Sequence, residues 1–289
     1  MTRGQDHGRP HRRCPMAIVT ISHEMGAGGS VIGRRIAAAL ECRYVDQDMI
    51  ARAAREYGCP EDRLAQLDET RPSFLERFDT ETRHYLLVLQ SAVLDVAEQG
   101  QAVIMGRSGQ VLLGGIAHVL RVFVRAPLDL RVQRVIRKMA DEGESVDGRT
   151  AAELVRRTDQ EKAGRTRYLF DVRWSDPALY DLVINTETLT FEAAVDLILG
   201  MLRRPELAAT EASQEAVRDR ALASRVRVAL AADPATRKDR ITIEAEHGVI
   251  RLEGTADLER AVEVARSVHG VAEVHPQLVE VLPIPPFVV

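Results

Sequence analysis

Cysteine is scarce in this 289-residue chain: there are 3, Cys14, Cys42 and Cys59, an odd number without C-x-x-C spacing. That excludes a disulfide framework and a zinc site built on cysteine pairs. Aromatic residues make up only 4% of the sequence, so its cores are expected to be built from Val, Leu, Ile and Ala. No apolar run approaches the roughly 18 residues that cross a bilayer. Strong charge of one sign is missing as well. A net charge of −4 carries no electrostatic footprint of a nucleic-acid binder. Residues 1–15 carry Arg3, Arg9, Arg12 and Arg13 with no apolar segment behind them, so they are not expected to be a secretory signal. They read as a disordered tail, with Met16 able to serve as a start, and the expected compartment is the cytoplasm.

A lysine is missing at a telling place. Ile18-Val19-Thr20-Ile21-Ser22 is a β-branched run that enters a glycine cluster, Gly26-Ala27-Gly28-Gly29-Ser30. It leaves into a helical pattern with Ile32, Ile36 and Leu40 on one face. Strand, glycine loop and helix in that order can wrap an anion with backbone N–H groups at the positive end of a helix. Against the pattern G-x-x-x-x-G-K-[ST], Gly28 takes the second glycine, Ser30 the magnesium-binding hydroxyl and His23 the first glycine. Gly29 stands where the lysine belongs. Taken alone, the cluster is equally readable as an ordinary turn.

The chain is long enough for about two domains. From residue 16 to about 204, short apolar strands alternate with amphipathic helices, which predicts an α/β unit with a parallel sheet covered on both faces. The predicted strands include Tyr44-Val45, residues 102–105, 119–124 and 180–184, and helices are predicted over 49–57 and around Tyr85 to Val96, Leu128 to Met139 and Phe191 to Leu202. In such sheets ligands bind beyond the carboxyl ends of the strands, where Gly26, Asp46 and Arg107 fall. Residues 205–214 lose this periodicity and read as a linker. Residues 215–283 follow as a small α+β unit of order α-β-β-α-β, with a hairpin around Glu246-His247-Gly248 and a final strand over 271–281, and residues 284–289 form a tail. Its own apolar periodicity predicts a self-contained core that few contacts join to the first unit.

Ser22, Glu24, Gly26, Gly28, Gly29, Ile32 and Gly33 match a loop that typically reads Ser-Arg-Glu-Phe-Gly-Ser-Gly-Gly followed by Ile-Gly. Tyr44-Val45-Asp46, Val103-Ile104-Met105-Gly106-Arg107, Trp174-Ser175-Asp176-Pro177 and Tyr180 to Thr186 follow in the right order. On these motifs most of residues 16–202 resembles the cytidylate kinase-like family of P-loop nucleoside monophosphate kinases. The missing lysine is normal for that family, whereas His23 departs from its usual arginine. Gly248 to Gly254 and His269 to Val274 resemble the two signatures of a BON domain.

The resemblance implies a cytoplasmic kinase that passes the γ-phosphate of ATP, with Mg²⁺, to a pyrimidine nucleotide such as CMP. The alternative is a non-catalytic nucleotide sensor that signals through the BON-like unit. Donor phosphates would lie on Gly26, Ala27, Gly28, Gly29 and Ser30, with Ser30 on the metal. Arg107, after an apolar strand and a glycine, is expected at the sheet edge, where a guanidinium can grip a phosphate; its structural alternative is an ion pair with Asp46 or Asp129. Asp46 orients substrate or a metal-bound water, or else caps the next helix. Arg52 aligns with an acceptor-phosphate arginine, or is simply exposed. By resemblance Arg131 and Arg134 line the acceptor site or lid. Asp159, Lys162 and Arg165 resemble an Asp-x-x-Arg segment that contacts nucleoside and phosphate, with Lys162 in place of that arginine. Arg34 and Arg35 read as solvated, and His118 as structural. Base choice is assigned to residues 58–84. Membrane attachment is not expected of the BON-like unit, which shows no basic amphipathic helix; a protein or small-ligand partner is.

Overall fold

The computed structural model describes residues 17–54, 57, 80–254 and 258–279. The two expected tails and residues 58–79 of the segment assigned to base choice lie outside the described residues.

Strands β1 (Ile18–His23), β2 (Arg43–Val45), β3 (Ala102–Met105), β4 (Val119–Arg125) and β5 (Leu182–Asn185) form one parallel sheet in the order β2-β3-β1-β4-β5. β1 is flanked on both sides, with Ile18 in register with Ala102 and with Val119. Its side chains alternate between two cores, as the pleat requires. Ile18, Ala102 and Ile104 face helix α3 (Thr80–Glu98), whose Val88, Ala92 and Val93 cover that side. Val19, Ile21 and Val103 face α1 (Gly29–Leu40) and α7 (Phe191–Met201), packing on Ile32, Ile36, Ala194 and Ile198. Burial on both faces is why these strands read as unbroken apolar runs.

The remaining helices of this unit are α2 (Gln47–Ala54), the short α4 (Gly109–Leu112), α5 (Leu128–Asp141) and α6 (Gly148–Phe170). Helix α6 is absent from the sequence-based expectation. Its 23 residues are mostly polar and bury only Ala151, Val155 and Thr166, so its apolar stripe is too thin to announce it. Asp147 caps it, accepting from Thr150 N–H at 2.8 Å.

The C-terminal unit has the predicted order: α8 (Glu211–Ala232), the hairpin β6 (Ile241–Glu246) and β7 (Val249–Gly254), α9 (Glu259–Arg266) and β8 (Glu273–Leu278). β6 pairs antiparallel and β8 parallel with β7. His247 and Gly248 turn the hairpin with φ of 51° and 81°, the positive pair that a two-residue loop demands. Leu222, Val226 and Leu230 of α8 meet Ile243, Ile250, Leu252 and Val274 of the sheet in one core.

Two expectations are corrected here. The linker is shorter, because residues 211–214 already belong to α8, started by a capping box in which the Thr210 hydroxyl accepts from the Ser213 N–H at 3.1 Å and the Ser213 hydroxyl accepts from the Thr210 N–H at 2.9 Å. The two units also share packing. Val217, Ala221 and Val228 of α8 enter the core under α3, and buried His118 meets Ser213 Oγ at 2.8 Å. A helix with two apolar faces has blurred periodicity, which hid its length and its second contact. Among the described residues no helix is long and apolar enough to cross a membrane.

Candidate functional site

β1, β2 and β3 all deliver their carboxyl ends to one cavity of about 430 Å³. Ser22 and His23 line it from the end of β1, Ser30 from the start of α1, Asp46 from the end of β2, and Gly106, Arg107 and Ser108 from the end of β3. Lys162 and Arg165 reach in from α6, while Leu86, Leu89 and Gln90 form a wall on α3. Trp174 lies beneath Lys162, whose Nζ is 5.8 Å from the indole centroid, and packs edge-on against Phe123 at 5.1 Å.

The glycine loop is closed from three sides. A Cβ on Gly26 would come within 2.6 Å of the Arg131 carbonyl oxygen, and one on Gly28 within 2.3 Å of the Phe191 ring. At Gly29 the obstacle is His23, whose Cβ would lie 2.4 Å away. Position 29 therefore has no room for a lysine. His23 Nδ1 lies 3.2 Å from the Glu24 carbonyl, so Nδ1 carries the proton and donates. That leaves Nε2 as an acceptor 3.5 Å from the Ser30 hydroxyl. Burial above all, helped by the Lys162 charge, holds the imidazole down to a pKa of about 3, so it is neutral.

A lysine from α6 stands at the edge of the loop. Lys162 Nζ donates to the His23 carbonyl at 3.0 Å. Burial holds its pKa down to about 8, with Asp159 opposing and Arg165 and Arg131 reinforcing that shift. Arg107 sits across the cavity in a turn where Gly106, Arg107 and Ser108 have φ of 67°, 55° and 55°. Two consecutive non-glycine residues in the left-handed region store strain, a feature that clusters at functional sites. Burial, then Arg165, brings Arg107 down to about 9, against the pull of Asp48 and Asp46, and it stays charged at neutral pH. Asp46 does two jobs, lining the cavity and accepting from Met49 N–H at 3.2 Å at the start of α2.

Of the sequence-predicted residues, the structure brings Ser30, Asp46, Arg107, Lys162 and Arg165 together beside the loop Gly26 to Gly29. Others stand elsewhere. Arg131 is 7% exposed, and it donates to Ala126 O at 2.9 Å, Met25 O at 3.1 Å and Asp159 at 2.5 Å. Asp159 in turn accepts from Met25 N–H at 2.9 Å. Neither Arg131, expected at the acceptor site or lid, nor Asp159, expected on nucleoside and phosphate, lines the cavity; the pair bonds to the Met25 backbone of the loop and to each other. Arg134 is likewise held, by Thr186 at 2.8 and 2.9 Å and over the Phe191 ring at 5.0 Å. Arg52 is exposed on α2 and does not line the cavity. Arg34 lies 5.3 Å from the Tyr44 ring and Arg35 pairs with Glu192, both at the surface as expected.

Sequence reasoning missed Gln90, Trp174 as the floor, and Glu24, which accepts from Ala126 N–H at 3.1 Å and stands 3.5 Å from Arg131. Glu24 was visible only as a motif match. An acid one residue past a strand end, with an arginine-bearing helix downstream, was the signal to follow.

The residues present fit a nucleotide and its metal. The loop backbone carries no Cβ at 26, 28 and 29, where Arg131, Phe191 and His23 pack against it, and its N–H groups lie at the start of α1. Among the described residues there is no cluster of three His, Cys, Asp or Glu able to hold a metal. Mg²⁺ needs none: it takes one or two protein oxygens plus phosphates and water, and Ser30 and Asp46 supply such oxygens.

The BON domain profile matches residues 218–281. The cytidylate kinase of Staphylothermus marinus is 28% identical over 192 residues, spanning 65% of this chain and 98% of its own. That of Ignicoccus hospitalis is 30% identical over 188 residues, spanning 65% and 99%. An uncharacterized protein from Eubacterium ventriosum has a solved structure sharing the fold, with a TM-score of 0.52 at 19% identity, covering 65% of this chain and 99% of that one. The profile of the cytidylate kinase-like family covers residues 18–188, more than half of the sequence, and this chain belongs to that family.

Proposed function

We propose that this protein is a nucleoside monophosphate kinase that transfers the γ-phosphate of ATP to a pyrimidine nucleotide, with CMP the favoured acceptor. One observation carries the reading: Arg107, Lys162 and Arg165 converge on a single cavity beside the glycine loop. Phosphoryl transfer asks a protein chiefly for positioning and for positive charge around the moving group. The loop N–H groups hold the donor phosphates. Mg²⁺, held by Ser30 and Asp46, neutralises phosphate charge when bound. Lys162 brings its cation to the edge of the loop, and Arg107 meets the acceptor phosphate from the β3 side. Leu86, Leu89 and Gln90 offer a wall of apolar surface and one carboxamide to the acceptor's base. The family and the relatives named cytidylate kinase support phosphotransfer and point to cytidine as the base.

Release of ADP measured with Mg²⁺ across the nucleoside monophosphates tests this. CMP is expected to be turned over fastest, and Ser30→Ala to weaken the magnesium dependence while keeping the fold. Nucleotide binding without turnover of any acceptor overturns the reading in favour of a sensor, which Gly29 and the neutral His23 at the loop would then explain.

A further inference from the structure

Helix α3 belongs to both halves of the molecule. Its N-terminal half gives Leu86, Leu89 and Gln90 to the cavity. Its C-terminal half packs Val93 and Val96 into the core that also takes Val217, Ala221 and Val228 from α8. Asp95 stands in this C-terminal half. It accepts from Arg225 of the C-terminal unit at 2.9 Å and from the Tyr57 hydroxyl, which also meets Ser91 Oγ at 2.8 Å. Arg225 donates as well to Glu98 at 2.6 Å. Tyr57 lies three residues beyond α2, the helix that Asp46 caps at the rim of the cavity. One carboxylate thus ties together the exit of α2, helix α3 and the BON domain.

That carboxylate depends on its partners. Burial pushes the Asp95 carboxyl up, while Tyr57 and Arg225 hold it down. Without Arg225 a partly buried acid would keep one neutral donor where it had an ionic one, and would be free to draw α3 toward water or to neutralise. The donor side is braced separately: Arg131 bonds to Ala126, Met25 and Asp159, Asp159 also to Met25, and Lys162 to His23, all within the first unit.

We infer that Arg225 is a positioning residue for the acceptor half of the cavity: through Asp95 it fixes α3, and through Tyr57 it fixes α2, so that the BON domain sets acceptor affinity. The inference rests on the kinase reading and explains why the two units share a helix core.

The test uses the full chain as wild type, Arg225→Ala, Arg225→Lys and Tyr57→Phe. Steady-state KM values for acceptor and ATP are measured, with CMP affinity by calorimetry and the thermal midpoint beside them. Arg225→Ala is expected to raise the acceptor KM and the CMP Kd roughly tenfold, in the range of couplings carried through packed networks. The ATP KM should stay within about twofold, as for a site that does not share the network. Arg225→Lys should recover part of the loss, since it keeps the charge without the planar fork. Tyr57→Phe breaks the same node from the other side and should shift acceptor affinity in the same direction without touching the BON domain. Acceptor and ATP constants that worsen together with the thermal midpoint overturn the inference, as does an unchanged acceptor constant. If wild type binds CMP but transfers no phosphate, the kinase reading falls, and the CMP affinities of the four proteins alone decide the role of Arg225. Absence of CMP binding to wild type overturns both.

Discussion

Lys162 Nζ donates a hydrogen bond to the His23 backbone carbonyl at 3.0 Å, joining groups 139 residues apart in sequence. The same His23 carries the side chain that fills the space above Gly29. One residue therefore excludes a lysine from the loop and anchors the lysine that comes from α6. In the proposed reaction Lys162 provides positive charge from α6, in a buried environment.

That environment makes Lys162 titrate within reach of ordinary assays. With its pKa held down to about 8, the ammonium is charged below that pH and loses its proton as pH rises through it. A pH profile of kcat/KM should show an alkaline limb near 8. Lys162→Arg keeps the cation at every accessible pH, so the limb should vanish while much of the rate survives. Lys162→Ala should cost about 10²–10³ in kcat, the usual effect of deleting one donor to developing charge. A limb that persists in Lys162→Arg would assign the titration to another group.

Arg131 and Asp159 are expected to fail differently, because their hydrogen bonds go to loop backbone and to each other. Each is hydrogen-bonded to loop backbone and to the other, at side-chain exposures of 9% and 18%. Removing one partner of such a buried pair costs about 3–5 kcal/mol. Asp159→Ala should lower the thermal midpoint markedly in calorimetry and weaken ATP and acceptor binding together. A selective kinetic defect at unchanged stability would return Asp159 to the substrate.

These residues also show where the sequence was readable. β1, β3 and β4 are buried on both faces, so Val103-Ile104-Met105 announced a central strand, and Arg107 beyond it was found at the sheet edge as expected. The hairpin at His247-Gly248 was legible because a two-residue turn demands positive φ. Helix α6 was not legible, since only Ala151, Val155 and Thr166 are buried along it. Without that helix, the distance between Lys162, which reaches the cavity, and Asp159, which turns behind the loop, had no physical basis. Three residues apart on a helix point to neighbouring faces, and a motif read as one contact became two. The shared face of α8 was hidden for the opposite reason: too much of the helix is apolar to show a single stripe.

His23 predicts an acid sensitivity. The unfolded imidazole takes up a proton near 6.5, whereas in the folded chain burial delays this to about 3. A histidine held neutral contributes its full share to stability above pH 6.5 and loses it as pH falls through the window toward 3. Between pH 6.5 and 5 the loss from this one group is about 1.6 kcal/mol. Denaturant titrations of wild type and His23→Gln at those two pH values check it. The wild type should lose more stability than the variant by about that amount; equal losses would mean that His23 does not stay neutral in the fold.

Arg107 offers the sharpest separation of function from stability. Its φ of 55° lies in the left-handed region, between Gly106 at 67° and Ser108 at 55°. A non-glycine residue there costs of order 1–3 kcal/mol of strain. A structural role would have to offset that cost with bonds whose loss lowers stability. A role in gripping the acceptor phosphate would leave the strain stored in the free protein. Arg107→Gly relieves the strain and deletes the guanidinium at once, so it should hold or raise the thermal midpoint while acceptor or transition-state binding falls. The kinetic loss should be about 2–4 kcal/mol, the scale of one charged stabilising donor. Arg107→Ala should show the same kinetic loss without the gain in stability, because alanine at positive φ keeps most of the strain. ATP titration should move little in either variant, since the glycine loop holds the donor from the β1 side. A fall in thermal midpoint for both variants, with ATP and acceptor affinities damaged alike, would make Arg107 a structural residue paired with Asp46 or Asp48.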